Sequence, residues 1–384
     1  MNCDPAASRG PLTGVRVLEL GGIGPAPFAG MLLGDMGAEV IRVDRPGEAG
    51  RNNPFPVLHR NRRSITVDLK DRRGAGLVLD LARGVDAVIE GFRPGVAERL
   101  GLGPDNLFAC NPALVYGRMT GWGQDGPLAQ EPGHDINFIA LTGVLEAIGT
   151  HEEPLPPLNL VGDMGGGMFL ALGVLGAVMN ARAGGCGQVV DAAMCDGSAT
   201  MMAMVYDFWN AGRWNVERGT NGIDGGSPCY GVYRCVDDRH VALGIGDERS
   251  YAALLDVLGL AEDPTFADRQ DSAEWPRMRK TLAALFAQRE RDTWAQLFAG
   301  RGASFSPVLD LVEAPHHPHN QARQTFLVGP GGTIEPAPTP RFSGTPLPRP
   351  IAAPVLGADT DAVLVAAGVL PERIDELRAA GVVA

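Results

Sequence analysis

Residues 14–44, "GVRVLELGGIGPAPFAGMLLGDMGAEVIRVD", decide the fold. Gly14 to Leu20 is an apolar strand, and "GGIGPAPFAGMLLGDMGA" reads as a Gly/Pro turn entering a helix that Gly37 closes. Glu39 to Asp44, "EVIRVD", is a second strand. Strand, Gly-rich turn, helix and strand make a right-handed βαβ unit, whose repetition implies a parallel sheet. Outward from this stretch the alternation continues. "SITVDL" (64–69), a helical stretch near 72–83, "DAVIEGF" (86–92) and "ALVYGRM" (113–119) extend it. The first third is read as a Rossmann-like α/β domain.

At 384 residues the chain is too long for one ordinary core, so two or three domains are expected. Hydrophobic residues make up 45% and charged residues 20%, a globular balance that excludes wholesale disorder. A net charge of −12 argues against non-specific nucleic-acid binding. Local charge differs: between Arg42 and Arg73 basic residues outnumber acids about two to one, which points to an anionic ligand held at a defined place. The six cysteines, Cys3 among them, have neither CxxC nor zinc spacing and read as reduced thiols of a cytoplasmic protein. "MNCDPAASRG" has no apolar signal-type core. The longest apolar run, Met164 to Ala181, falls short of the roughly 20 residues of a span, so a buried helix and no membrane partner are expected.

Residues 166–183 read as that helix, and 188–209 as a strand followed by a helix whose Met194, Met201, Met202 and Met204 serve packing. From Gly225 the texture changes. "CYGVYRCVDDRHVALGIG" predicts a hairpin, and amphipathic helices follow near 248–258, 275–287 and 291–299. The expected organisation is a large domain over 1–210, a smaller α+β domain over 225–325, and a proline-rich segment with a C-terminal return to the large domain over 330–384.

"GGIGPAPFAG" invites the dinucleotide fingerprint but fails at its third glycine, where Pro27 stands. Asp44 falls near the place of the ribose acid, but Arg45 follows it directly, so neither NAD nor flavin is expected. Arg45, Arg93 and Arg99 near strand ends suit a phosphorylated adenosine, or else form a solvated basic face. In "GHDIN", His134 is a capping residue or a proton carrier, with Asp135 and Asn137 close enough to orient its ring. "HHPH" (316–319) reads as an exposed cluster rather than a metal site. In "NLVGDMGGGM" (159–168), Asp163 is an N-cap or a site carboxylate. The three glycines after it favour close approach of another molecule, with helix N–H groups available to an oxyanion.

Together "PLTGVRVLELGGIGPAPFAGMLLGDMGAEVIRVDRPG", "RSITVDLK", "IEGFRPGVAERLGLGP", "GHDIN" and "NLVGDMGGGM…GQVVDAAMCDG" resemble CoA-transferase family III, the CaiB/BaiF family, in order from about residue 11 to 355. The pairing of "GHDIN" with "NLVGD" resembles the racemase branch of that family more than its transferases. The resemblance implies a Rossmann-like large domain, a smaller domain, a C-terminal return and an interlocked homodimer. It also implies an acyl-CoA substrate, with no metal and no cofactor beyond the CoA moiety. Carried over by position, CoA is bound around Arg45, Val67, Asp68, Leu69, Lys70, Gly91, Phe92, Arg93 and Arg99. Gly133, Asp135, Ile136, Asn137 and Phe138 line the thioester. His134 and Asp163 are the two bases, and Asn159 joins the catalytic set. Racemases of this kind carry a glutamate supporting the histidine where this chain has Asp247 and Glu248. The implied reaction is interconversion of (R)- and (S)-2-methylacyl-CoA through an enolate. The alternative is CoA transfer with Asp163 as the acyl-carrying nucleophile. Only racemisation uses His134 as a proton carrier, which favours the first.

Overall fold

The computed structural model describes residues 10–329 and 332–384. Cys3, and Pro330 and Gly331 at the start of the proline-rich segment, lie outside the described residues. The chain runs β1 (Arg16–Leu20), α1 (Pro25–Asp35), β2 (Glu39–Asp44), β3 (Arg62–Thr66), α2 (Arg72–Ala82), β4 (Ala87–Glu90), α3 (Val96–Arg99), α4 (Pro104–Cys110), β5 (Val115–Thr120) and α5 (Asp135–Ala140). It continues through α6 (Val144–Ala147), α7 (Gly165–Arg182), β6 (Gln188–Ala193), α8 (Met194–Met201) and α9 (Ala203–Asn210). After these come β7 (Tyr230–Arg234), β8 (His240–Gly244), α10 (Glu248–Leu258), α11 (Trp275–Phe286), α12 (Arg291–Phe298), β9 (Phe305–Pro307) and α13 (Pro318–Ala322). The hairpin β10 (Phe326–Val328) and β11 (Ile334–Pro336) precedes α14 (Thr360–Ala366) and α15 (Pro371–Ala379). The chain divides into two compact units. One comprises residues to Thr142, Pro157–Met201 and Phe326–Ala384; the other comprises Gly143–Pro156 and Met202–Thr325.

The first unit is a mixed α/β fold around a six-stranded sheet of order β3-β2-β1-β4-β5-β6, every neighbouring pair parallel. That order reverses between β1 and β4, and in open parallel sheets ligands bind beyond the carboxyl ends of the strands at this point. Side chains alternate between the two faces of a strand. Leu18 and Leu20 join Ile41, Val43, Val88 and Tyr116 in a core closed by α2 and by Val363, Leu364, Ile374, Leu377 and Val383 of the C-terminal segment. Val17, Val40, Ile89 and Val115 face the other way, onto Ala29 and Leu33 of α1 and Leu170, Val174 and Val178 of α7.

The second unit holds the antiparallel sheet β7-β8-β9. The expected hairpin is present, with Asp238 at left-handed φ in its turn. Its core is built by Tyr233, Val241, Leu254, Met278, Leu282, Phe286, Trp294 and Phe298 from the sheet and from α10, α11 and α12.

Two expectations are corrected. The apolar run is not simply a buried helix: one turn of π-helix at Leu160–Met164 joins α7, so a 23-residue helix passes the length and composition of a membrane span. Only one face packs on the sheet, while Met168, Leu172 and Met179 stand exposed. The methionines divide likewise: Met194 is core, whereas Met201 and Met204 are exposed.

Candidate functional site

The candidate residues of the first unit follow the carboxyl ends of the strands. The Gly-rich turn leaves β1, Arg45 follows β2, Val67–Lys70 follow β3, Gly91–Arg93 follow β4, and Gly121 and Trp122 follow β5. Such ends present backbone and side chains to one crevice.

Here Asp163 and His134 come within electrostatic reach of each other, with no hydrogen bond or ion pair between them among the described contacts. Asp163 does not cap a helix. It lies inside the π-turn, its carboxylate accepting from Asn159 Nδ2 at 3.2 Å, while its own N–H donates to Asp135 Oδ1 at 2.7 Å. An added Cβ on Gly24, whose φ is +72° and ψ −118°, would lie 3.3 Å from Asp163 Oδ2. The backbone conformation thus reserves this position of the turn for glycine, and the carboxylate leaves an added side chain only a tight fit. Burial raises the affinity of the half-buried Asp163 carboxyl for its proton. The Asn159 amide opposes this, the Asp135 charge adds to it, and His134 lies within electrostatic reach and lowers it. A carboxylate shifted upward by desolvation is the stronger base.

His134 stands exposed at the N-cap of α5. Asn137 Oδ1 accepts from the His134 backbone N–H at 3.0 Å, so it fixes the histidine's backbone rather than its ring. Nor does Asp135 orient that ring among the described contacts. Its side chain is buried and holds the Asp163 N–H through Oδ1, leaving Oδ2 without a protein partner. Phe138 and Ile139 bury the inner face of α5, with Phe138 edge-on to Trp122 at 4.8 Å between ring centroids. Ile136 and Asn137 face outward. Gly133 is constrained: a Cβ there would come 2.6 Å from the Phe138 ring.

The three glycines after Asp163 have a different reason from the one the sequence implied. A Cβ on Gly165 would lie 2.6 Å from Met201 Cε, on Gly166 2.7 Å from Met194 Cγ, and on Gly167 2.6 Å from the Pro25 carbonyl oxygen. The molecule that approaches them is the protein itself, through α1 and α8. Nor is the Gly165 N–H free for an oxyanion, since it donates to the Gly162 and Leu160 carbonyls.

The basic stretch between Arg42 and Arg73 is also resolved differently. Arg42 and Arg62 are buried on Glu19, Arg42 also on Asp44 at 2.8 Å, and Arg60 grips Asp35. Burial opposes the charge on Glu19, yet Arg62 and Arg42 hold its carboxyl below the ordinary range. These arginines brace the Gly-rich turn from beneath: Arg42 donates to the Gly22 carbonyl at 3.0 Å and Arg62 to that of Pro27. Asp44, in the place of a ribose acid, is committed to Arg42 and Ser64. Arg45, Arg93 and Arg99 are exposed, and none pairs with a carboxylate among the described residues. Lys70 is exposed and Asp68 and Leu69 half-buried, whereas Val67 packs its side chain into the core while its backbone bridges to Val383. Gly91 is exposed, and Phe92 is half-buried against the core.

Asp247 and Glu248 belong to the second unit. Asp247 caps α10, accepting from the Ser250 N–H at 2.9 Å and its hydroxyl at 2.8 Å, and Glu248 pairs with Arg269 at 2.8 Å. Among the described residues no group of three or more His, Cys, Asp or Glu is placed to hold a metal. Sequence reasoning missed Gly24 and the anchoring role of Asp135. The G-x-G spacing marked the first, but only the fold shows what the glycine faces.

A profile of CoA-transferase family III matches residues 12–360. The chain is 41% identical over 369 residues to an α-methylacyl-CoA racemase of Mus musculus, covering 95% of this chain and 96% of the relative. It is 39% identical, with the same coverage, to the α-methylacyl-CoA racemase of Homo sapiens. A CaiB/BaiF family protein from Brucella suis superposes with a TM-score of 0.81 at 26% identity, over 94% of this chain and all of that one. The chain belongs to CoA-transferase family III.

Proposed function

We propose that the chain interconverts (R)- and (S)-2-methylacyl-CoA thioesters by removing and returning the α-proton. The carrying observation is that His134 lies within electrostatic reach of Asp163. Asp163 is a half-buried carboxylate of raised proton affinity, pinned by Asn159 and Asp135, and His134 is a neighbouring exposed histidine. Racemisation needs one group to take the α-proton and a second to return it on the opposite face of a planar enolate. A carboxylate and a histidine can each serve in either direction. The first N–H groups of a helix lack intrahelical acceptors. In α5 the Asn137 and Phe138 N–H groups donate to the His134 carbonyl, and the preceding Asp135 and Ile136 N–H groups are the donors we assign to the enolate oxygen, where charge develops during the reaction.

CoA lies on the carboxyl edge of the sheet, with Arg45, Arg93 and Arg99 as its free cations. Asp247 and Glu248 remain candidates for supporting the histidine, each by exchanging its present partner. The protein works as a homodimer, and the exposed apolar stripe of α7 is a surface a second copy would cover. No metal, nicotinamide or flavin takes part, and the enzyme acts in the cytoplasm.

The test is α-proton exchange. (S)-2-methylacyl-CoA is incubated in D2O with the protein and with His134→Ala and Asp163→Ala, and deuterium and chirality are followed by NMR. Deuterium uptake with inversion, lost in both variants, supports the reading. Acyl transfer to an added acid without exchange, with an adduct trappable on Asp163, would make the protein a transferase.

A further inference from the structure

Arg118 lies at the carboxyl end of β5, buried to within 5% of its surface, and no step of the proposed reaction uses it. It sits beside Glu90, the last residue of β4, in the sheet register. Arg118 Nε donates to Glu90 Oε1 at 3.0 Å, and its Nη1 and Nη2 donate to the Glu98 carboxylate at 2.8 and 3.3 Å. The other Glu90 oxygen accepts from the Phe92 N–H. The guanidinium stacks 5.4 Å from the Tyr116 ring centroid. One cation therefore ties down both ends of the loop that leaves β4: its start through Glu90 and Phe92, its end through Glu98 on α3. Between these anchors Gln130 donates to the Pro94 carbonyl at 3.3 Å, and the Arg99 side chain lies over Gly95. Arg93 and Arg99, on this loop, have no carboxylate partner among the described residues.

A purely structural role accounts poorly for this arrangement. Burying one guanidinium with two carboxylates is often matched or bettered by packed hydrophobic residues. Glu90 in particular is kept at a cost, since burial pushes its carboxyl up to about 7 against the pull of the Phe92 N–H and Arg118. What the cluster does supply is a fixed backbone for a loop with two free arginines.

We propose that Arg118, clasped by Glu90 and Glu98, is the positioning residue that sets the Gly91–Arg99 loop for the phosphates of the CoA nucleotide. This rests on the reading that the protein acts on acyl-CoA thioesters.

The half-exposed Glu98 is the safest place to open the clasp. Glu98→Ala and Glu98→Gln are compared with the unaltered protein on a 2-methylacyl-CoA and on the matching 2-methylacyl-pantetheine thioester, which lacks the nucleotide. Glu98→Ala raises KM for the acyl-CoA about tenfold with kcat unchanged, as expected for loss of a charge-assisted contact that acts through binding. It leaves kcat/KM for the pantetheine thioester as it was, and Glu98→Gln, which keeps one acceptor for Arg118, recovers part of the KM. An unchanged KM, or an equal loss on both thioesters, overturns the proposal. Calorimetric titration with free CoA separates the two readings. Absence of binding by the unaltered protein overturns the acyl-CoA assignment, whereas equal binding by it and Glu98→Ala overturns the clasp alone.

Discussion

Gly167→Ala tests whether the glycines after Asp163 serve packing or a ligand. The added Cβ would stand 2.6 Å from the Pro25 carbonyl oxygen and 3.0 Å from Phe28 Cδ1. The first of these is helix backbone, which cannot rotate aside, so α1 and α7 must separate. Overpacking of this kind costs ~1–3 kcal/mol, and alanine's helix preference over glycine returns at most ~1 kcal/mol. The net expectation is a loss of roughly 1–2 kcal/mol. Gly76 of α2 is the internal control: a Cβ there meets nothing within 4 Å, so Gly76→Ala should stabilise by ~0.5–1 kcal/mol. At ~2–4 °C per kcal/mol for a unit of this size, the two variants should melt about 3–12 °C apart, on opposite sides of the unaltered protein. Thermal unfolding followed by circular dichroism reads this directly. If Gly167→Ala melts with the unaltered protein and instead weakens CoA binding, the glycines face a ligand and the packing argument fails.

Gly24→Ala forces a side chain into a glycine-only conformation against Asp163 Oδ2. It should cost roughly 1–3 kcal/mol in kcat/KM, and a rate within twofold of the unaltered enzyme would refute the contact. Asp135→Ala strands the Asp163 N–H and should slow α-proton exchange by about 5- to 150-fold, as the ~1–3 kcal/mol cost of a buried unsatisfied donor implies. Asp135→Asn keeps the acceptor and should do less harm, so equal losses in the two would mean the charge itself matters. Glu90, raised from 4.5 to about 7, lends its full stability only below pH 4.5 and loses it as pH climbs through 7. The melting temperature of Glu90→Gln should therefore gain on the unaltered protein between pH 5 and 7 and hold level above, whereas a pH-independent difference would refute the shift. Asp247→Ala removes the cap of α10 and should lower the melting temperature of the second unit, while Glu248→Ala, which loses only an exposed pair, should not.

Much of the architecture could be read before folding because it depends on near neighbours. The strand at Glu39–Asp44, the hairpin at Tyr230–Gly244 and the helix from Glu248 to Leu258 fall where alternation, turn residues and caps place them. Period-two and period-3.6 patterns and cap chemistry act within a few residues, so the sequence carries them whole. The parallel sheet followed from repetition of the βαβ unit, since each crossover admits one hand.

What the sequence left undecided were questions about partners far along the chain. Eight arginines and one lysine between residues 42 and 73 looked like a ligand cradle. Folding spends Arg42 and Arg62 on Glu19 and Arg60 on Asp35 and Glu335, the last 275 residues away. An arginine binds whichever anion the fold brings to it, and a count of charges cannot tell a buried carboxylate from a phosphate. Gly165, Gly166 and Gly167 were likewise ambiguous, because a bare backbone admits a substrate or a second helix equally well. The superposition of α7 on Pro25, Met194 and Met201 chose the helix. Asp163 could be recognised as unusual from its own motif. That it lies against Gly24, is held by Asp135 and feels His134 was decided only when three loops met at the carboxyl edge of one sheet.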